Sequence, residues 1–292
     1  TLYIDPMEFV SMKAVNMTYQ QLNQVFRNPF GNGFNVFTGI KWGNSSFYKI
    51  GVKHAGNSGF IPQFYHLGYN KNAIFNDTSY TTKGNKNTLS INHLWKSDIE
   101  FNYKFSYSDC NYQIMDSNIS QKYLTGKFGL TLRKNGRFDI NLTRSQSLNN
   151  SIHFNKITVD YLKKISINKD ELLLRIQGGI TSPETPLNMQ FQGGGFSNIA
   201  LRGYNYNLAG DRFLRGTVEY HKQLPLPIFK GILFMDYGKI VPVAVEFNNE
   251  KWLFDSGFGL SVDTPMGIPV RADIAVNQEG DYRWNIGFGH SY

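Results

Sequence analysis

The chain has a single cysteine, Cys110, among its 292 residues, so no internal disulfide framework and no multi-cysteine metal site can be built from it. Charge is scarce too: charged residues make up 18% while aromatics reach 15%, a charge-poor and aromatic-rich balance for a water-soluble protein. No run of eighteen apolar residues occurs, which excludes a transmembrane helix but leaves open a barrel, whose strands are only half apolar. The net charge of +8 is spread out without a basic block, so nucleic acid is not an expected partner. Catalytic signatures are missing as well. Gly56-Asn57-Ser58-Gly59 lacks the spacing of a nucleophile elbow, and Gly193-Gly194-Gly195 is not followed by the Gly-Lys-Ser/Thr of a phosphate loop. The six histidines (His54, His66, His93, His153, His221 and His290) are scattered without metal-ligand spacing. Neither enzymatic activity nor a cofactor is expected.

What the chain does have is alternation. Val36, Thr38, Ile40 and Trp42 interleave with Asn35, Gly39 and Lys41; Phe101, Tyr103, Phe105 and Tyr107 interleave with Asn102, Lys104 and Ser106; Phe138, Ile140 and Leu142 interleave with Asp139, Asn141 and Thr143. Each such strand carries one apolar and one polar face. A β-sandwich alternates in the same way, but strands of about 9–11 residues suit a tilted membrane crossing. Aromatics also gather near strand ends, at Trp42, Trp95, Tyr161, Tyr220, Tyr237 and Trp284, where an interfacial girdle belongs. Strands are expected to begin near residues 34, 46, 59, 73, 86, 97, 110, 122, 137, 152, 170, 212, 228, 251, 268 and 282. These features favour, over a sandwich, an all-β fold class: a transmembrane antiparallel β-barrel of about sixteen strands is expected over residues 34–292. Compact turns at Lys134-Asn135-Gly136 and Asp263–Gly267 fall at one end, and the connections at 180–211 and 239–250 at the other, the outer-membrane arrangement. Residues 1–33 read as a linker or a short helix from a missing upstream region. There Thr18-x-x-Gln21 forms a capping box ahead of Leu22, Val25 and Phe26. The sequence opens at Thr1 without a signal peptide, and is expected to be mature or cut from something longer.

The longest irregular stretch, Phe191–Asp211, is too long for a hairpin turn and too apolar for a solvated linker, with Phe191, Phe196, Ile199, Leu201, Tyr204 and Tyr206 in it. It is expected to fold inward and pack. Its one cation, Arg202, lies in Leu201-Arg202-Gly203-Tyr204 and then needs an acidic partner. That tetrad, followed in order by GDRFLRGTVEYHKQLP, GILFMDYG, GFGLSVDTPMGIPVRADIA and YRWNIGFGHSY, resembles the polypeptide-transporting outer-membrane barrels, the BamA-like, TamA-like and FhaC-like proteins. The resemblance covers residues 191–292. It implies a bacterial outer-membrane location, a sixteen-stranded barrel with the RGY loop turned into the lumen, and a loop arginine matching Arg202 with acidic partners matching Glu219 and Asp236.

The residues give the same faces. On 212–222, Leu214, Val218 and Tyr220 point to lipid and Arg215, Thr217 and Glu219 inward; on 231–238, Leu233, Met235 and Tyr237 point out and Phe234 and Asp236 inward. The terminal strand puts Tyr282, Trp284, Ile286, Phe288, His290 and Tyr292 on one face, and ending on an aromatic matches the sorting signal of bacterial outer-membrane barrels. A closing seam is expected between Phe34–Trp42 and Tyr282–Tyr292, weakened by Gly39, Gly287 and Gly289. Such a seam could open sideways and pair with an incoming strand. The function implied is insertion or translocation of polypeptides; the partners are outer-membrane lipid, polypeptide clients and upstream periplasmic or passenger domains of the same chain. Two other readings remain open: the anchor barrel of a patatin-like phospholipase autotransporter, and a passive porin.

Overall fold

A computed structural model describes residues 11–13, 20–26, 34–42, 45–54, 60–75, 78–114, 117–194, 199–204, 208–242, 245–263 and 269–288. Period-two alternation becomes strand almost everywhere. The elements are β1 (Ser11–Lys13), β2 (Gln20–Phe26), β3 (Phe34–Trp42), β4 (Ser45–His54), β5 (Phe60–Phe75), β6 (Thr78–Lys96), β7 (Ile99–Ile114) and β8 (Ser117–Leu132). They continue with β9 (Arg137–Ser147), β10 (His153–Ile167), β11 (Asp170–Thr181), β12 (Phe191–Gly193), β13 (Leu208–Gly210), β14 (Arg212–Gln223), β15 (Phe229–Val241), β16 (Leu253–Asp263), β17 (Pro269–Asn277) and β18 (Tyr282–Phe288). All but β12 and β13 form one sixteen-stranded antiparallel sheet, ordered from β1 through β18 and back down the chain to β2. Its two ends, β1 and β2, are consecutive in sequence, so the sheet returns on itself as the wall of a transmembrane β-barrel.

The large apolar side chains sit outside. Ile40, Phe64, Phe105, Leu124, Ile176, Leu233, Met235 and Phe258 are all among the exposed ones, while Ser, Thr, Asp and Arg fill the buried positions. A soluble protein does not expose a continuous apolar belt of this kind; lipid is its solvent. Trp95 is 62% exposed and Trp284 51%, and Tyr237 stacks on Trp252 with centroids 4.5 Å apart. Those positions suit an interfacial girdle.

Three expectations need correction. Residues 20–26 are a strand, not a helix. The i, i+3, i+4 spacing of Leu22, Val25 and Phe26 fits a helix, but β2 pairs with β3 from Gln20↔Trp42 to Phe26↔Val36. Without β2 the edge of β3 would face lipid with unpaired backbone groups, and that tertiary demand overrides local propensity. The wall therefore begins before residue 34. For the same reason Phe34–Trp42 does not pair with the last strand. Gly39 lies between Asn23 and Lys49 inside the wall, away from any seam. The last strand instead takes β1 as its neighbour, through Ser11↔Gly287, Met12↔Ile286 and Lys13↔Asn285. Gly289 and Tyr292 lie outside the described residues. Finally, no strand begins near 73, 86 or 110; β5 and β7 run straight through positions 73 and 110, and β6 starts at Thr78 and passes through 86. The count of sixteen survives because two overcounted strands are offset by β1 and β2.

The overcount has a physical cause. β6 has nineteen residues and β5, β7 and β8 have sixteen each. At about 3.3 Å per residue and a tilt of about 40°, nineteen residues climb roughly 48 Å, well beyond an apolar band of about 25 Å. Beyond the lipid both faces are wet, so a segment such as Thr81-Thr82-Lys83-Gly84-Asn85 stops alternating while its hydrogen-bond ladder continues. Antiparallel order puts the tight turns at 97–98, 133–136 and 168–169 at one end, with the 182–211 and 242–252 connections at the other. The extended hairpins rise on the long-loop side.

Candidate functional site: the lumenal loop and its charged cradle

The connection from β11 to β14 enters the barrel. A 3-10 turn at Leu187–Met189 leads into β12, which pairs with β13 from Phe191↔Gly210 to Gly193↔Leu208. This small hairpin packs on the wall through Phe191, Ile199, Phe213 and Ile240, with Leu208 against them. Apolar burial thus fixes the stem, and a polar tip hangs from it. At the tip, Ala200, Leu201 and Arg202 have no exposed surface.

Arg202 has three carboxylates around it. Its Nε donates to Asp236 Oδ2 at 2.7 Å and its Nη2 to Asp236 Oδ1 at 2.9 Å, a two-pronged bond. Nη1 donates to Glu219 Oε1 at 2.6 Å and to Asp273 Oδ2 at 3.3 Å. The guanidinium also lies over the Phe234 ring, 3.5 Å from its centroid. This planar fork, filled on all its edges and stacked on one face, is a task a lysine ammonium cannot perform.

The acids are themselves held. Arg271 donates from Nε to Asp273 Oδ1 at 2.8 Å and from Nη1 to Glu219 Oε2 at 3.0 Å. Glu219 Oε2 also meets His221 Nε2 at 2.7 Å. Asp236 accepts from Thr217 Oγ1 at 2.5 Å and from Arg215 Nη2 at 3.3 Å, and Arg215 reaches on to Gln177 Oε1 at 2.7 Å. Asp255, opposite Asp236 across the β15–β16 ladder, is also fully buried, and neither of its oxygens is hydrogen-bonded among the described residues. Backbone contacts complete the seat: Asn285 Nδ2 donates to Arg202 O at 3.0 Å, and Tyr204 OH to Phe254 O at 3.2 Å. Three arginines and four carboxylates therefore line one buried cluster. Such clusters contribute little net stability once desolvation is counted, and are better suited to fixing one geometry.

The structure thus brings Arg202, Glu219 and Asp236 into contact. Leu201 is buried beside them, and Gly203 and Tyr204 lie under β16 and β17. Trp284, Gly287 and Phe288 are on β18, Gly287 between Ser11 of β1 and Arg271 of β17 in the ladder, and Trp284 exposed on the outer face. Sequence reasoning missed Arg271, Asp273 and Asp255, although the same period of two along β16 and β17 places all three inward. Gly203 has a steric reason to be glycine: a Cβ there would lie 2.8 Å from Asp255 Cβ and 3.0 Å from Asn277 Cβ. Gly203→Ala is expected to lift the tip from its seat while the barrel still assembles. The check is limited proteolysis of the loop alongside the heat-modifiable gel shift; a loop as resistant as wild type would refute the steric account.

Comparison with known proteins bears on this geometry. The Omp85 superfamily domain model matches residues 14–292. Among solved structures, BamA from Haemophilus ducreyi lacking POTRA domains 1–3 aligns with a TM-score of 0.74 at 11% identity, over 96% of this chain and 69% of that one. CdiB from Acinetobacter baumannii aligns at 0.68 and 14% identity, over 96% of this chain and 57% of that one. CdiB from Escherichia coli aligns at 0.63 and 15% identity, over 91% and 59%. At such identities the likeness is one of fold. No curated protein sequence matches the chain.

Proposed function

The chain belongs to the Omp85 superfamily of bacterial outer-membrane barrels, and from that premise we propose that it inserts or translocates polypeptides, with the seated RGY loop holding the barrel in its working shape. The observation that carries this reading is the seat of Arg202: fully buried, forked onto Asp236 and shared with Glu219 and Asp273. The loop ties β14, β15, β16, β17 and β18 together through Glu219, Asp236, Phe254, Asp273 and Asn285. That cross-links five neighbouring strands of the sixteen and leaves the β1–β18 contact at their border. Upstream domains that deliver clients are part of the same proposal.

The test is reconstitution of the protein in lipid vesicles with an unfolded outer-membrane polypeptide supplied outside. Client that becomes folded in the bilayer or protected from protease faster than with empty vesicles supports the reading. A rate equal to that of empty vesicles, with small solutes passing freely, would support a porin. The same rate with no solute passage would support an anchor barrel for a passenger domain.

A further inference from the structure

The inner face of β6, β7 and β8 carries three lysines that form no ion pair among the described residues. Lys86 on β6 shares the inner face with Thr82, Thr88 and Ser90; Lys104 on β7 shares it with Ser106 and Ser108; Lys127 on β8 shares it with Gln121 and Tyr123. Leu89, Phe105 and Leu124, one residue out of phase, face lipid. Lys104 and Lys127 are directly opposite one another in the β7–β8 ladder, an arrangement that disfavours the sheet because like charges face each other. Lys86 lies on the adjoining strand, four positions along from Ser90, the residue opposite Lys104. Among the described residues none of the three has an ion pair. The carboxylates of this inner wall are already engaged: Glu100 by Arg133, Asp139 by Arg137 and Thr131, Asp160 by Arg175 and Gln177. Lys156, in line with Lys127 through Thr143, is turned to the loop instead, with Nζ on Met189 O at 3.1 Å and over the Phe191 ring.

Three ammonium groups on one inner face of three adjoining strands, inside low-dielectric walls, focus a positive potential into the lumen. We infer that Lys86, Lys104 and Lys127 form a lumenal binding site for acidic stretches of an extended polypeptide. The choice of ligand follows from the side chains. A phosphate clamp favours arginine forks, and the arginines on this side, Arg133, Arg137 and Arg175, are already paired with carboxylates; lysines are mobile point charges with three donors each, suited to carboxylates that slide past without a fixed pose. The two walls are then complementary in role. Arginines and acids lock the loop on β14–β17, and free lysines on β6–β8 leave a track beside it. The inference deepens the polypeptide-handling function proposed above and rests on it.

Fluorescence anisotropy of a fluorescein-labelled octaglutamate, titrated with the purified protein in nanodiscs, tests the site directly. Octaglutamate is expected to bind, octaglutamine not, and raising sodium chloride from about 50 to about 300 mM should weaken binding tenfold or more. Replacing all three lysines with glutamine should reduce affinity at least tenfold. A control with the same charge change in exposed positions, Lys134→Gln, Lys169→Gln and Lys222→Gln, should bind within twofold of wild type. If the triple variant fails the heat-modifiable gel shift, Lys127→Gln alone should still lower affinity threefold or more. Unchanged affinity in the lumen variants, an equal loss in the control, or displacement by inorganic phosphate as effective as by octaglutamate would overturn the proposal. Peptide binding is read without transport, so a protein that binds octaglutamate and moves no client refutes the transport reading and leaves the site standing.

Discussion

Arg202→Ala should leave a barrel that inserts in the membrane but has lost its loop seat, with client insertion or translocation reduced tenfold or more. Alanine removes the cation that Glu219, Asp236 and Asp273 share, and all three acids stay buried. Removing one partner of a buried ionic group costs about 3–5 kcal/mol, chiefly because the other is left uncompensated. Arg271 and Arg215 soften that loss, since Glu219 and Asp273 keep the former and Asp236 the latter. The cost therefore falls on the loop more than on the wall, whose ladders are independent of Arg202. Arg202→Lys should behave nearly as badly, because an ammonium cannot make the fork to Asp236 while reaching Glu219 and stacking on Phe234. Loop proteolysis, thermal unfolding and client insertion measured on the same preparations check this. If either variant keeps full activity with a loop as protected as wild type, the seat has no functional role.

How the loop and its acids could be read from the sequence comes down to period. On β14 and β15 a single frame runs unbroken through Leu214, Val218 and Tyr220 and through Leu233, Met235 and Tyr237, so Glu219 and Asp236 had nowhere to point but inward. On β17 the frame is equally clear, Val270, Ala272, Ile274 and Val276 against Arg271, Asp273 and Ala275, and it places Arg271 and Asp273 beside Glu219. Their link to Arg202 was harder to see because it depends on how far the loop descends, a tertiary quantity that alternation does not encode. The start of the wall was obscured for another reason. Leu22, Val25 and Phe26 satisfy a helical spacing, and only the need to cover the edge of β3 makes Gln20–Phe26 a strand. The long hairpins of β5–β8 hid their own length, since alternation ends where lipid ends while the hydrogen-bond ladder goes on. Sequence periodicity reports the solvent on each face, not the extent of pairing.

Locking the β1–β18 contact should produce the second large effect. Three residue pairs join β1 to β18 in the described residues, against seven between β17 and β18 and twelve between β14 and β15. Each backbone hydrogen bond contributes about 0.5–1.5 kcal/mol net, so among the described residues this is the least reinforced pairing of the sheet. Asn285 lies opposite Lys13 in this pairing and holds Arg202 O at 3.0 Å, so the strands tied by the loop end where this short pairing begins. Opening there would expose the edge of β18 to pair with a client strand by β-augmentation. Ser11 and Gly287 face each other across the ladder, at a separation that suits a disulfide in antiparallel pairs. Ser11→Cys with Gly287→Cys, in a Cys110→Ser background so that the buried native thiol cannot interfere, should form that bridge on oxidation. If clients enter through the side, oxidised protein should be at least tenfold less active and recover when reduced, while single-cysteine variants stay active under both conditions. Full activity in the oxidised, demonstrably cross-linked barrel would rule out the lateral route and leave passage through the lumen, along the lysine-bearing wall of β6–β8, as the path that polypeptides take.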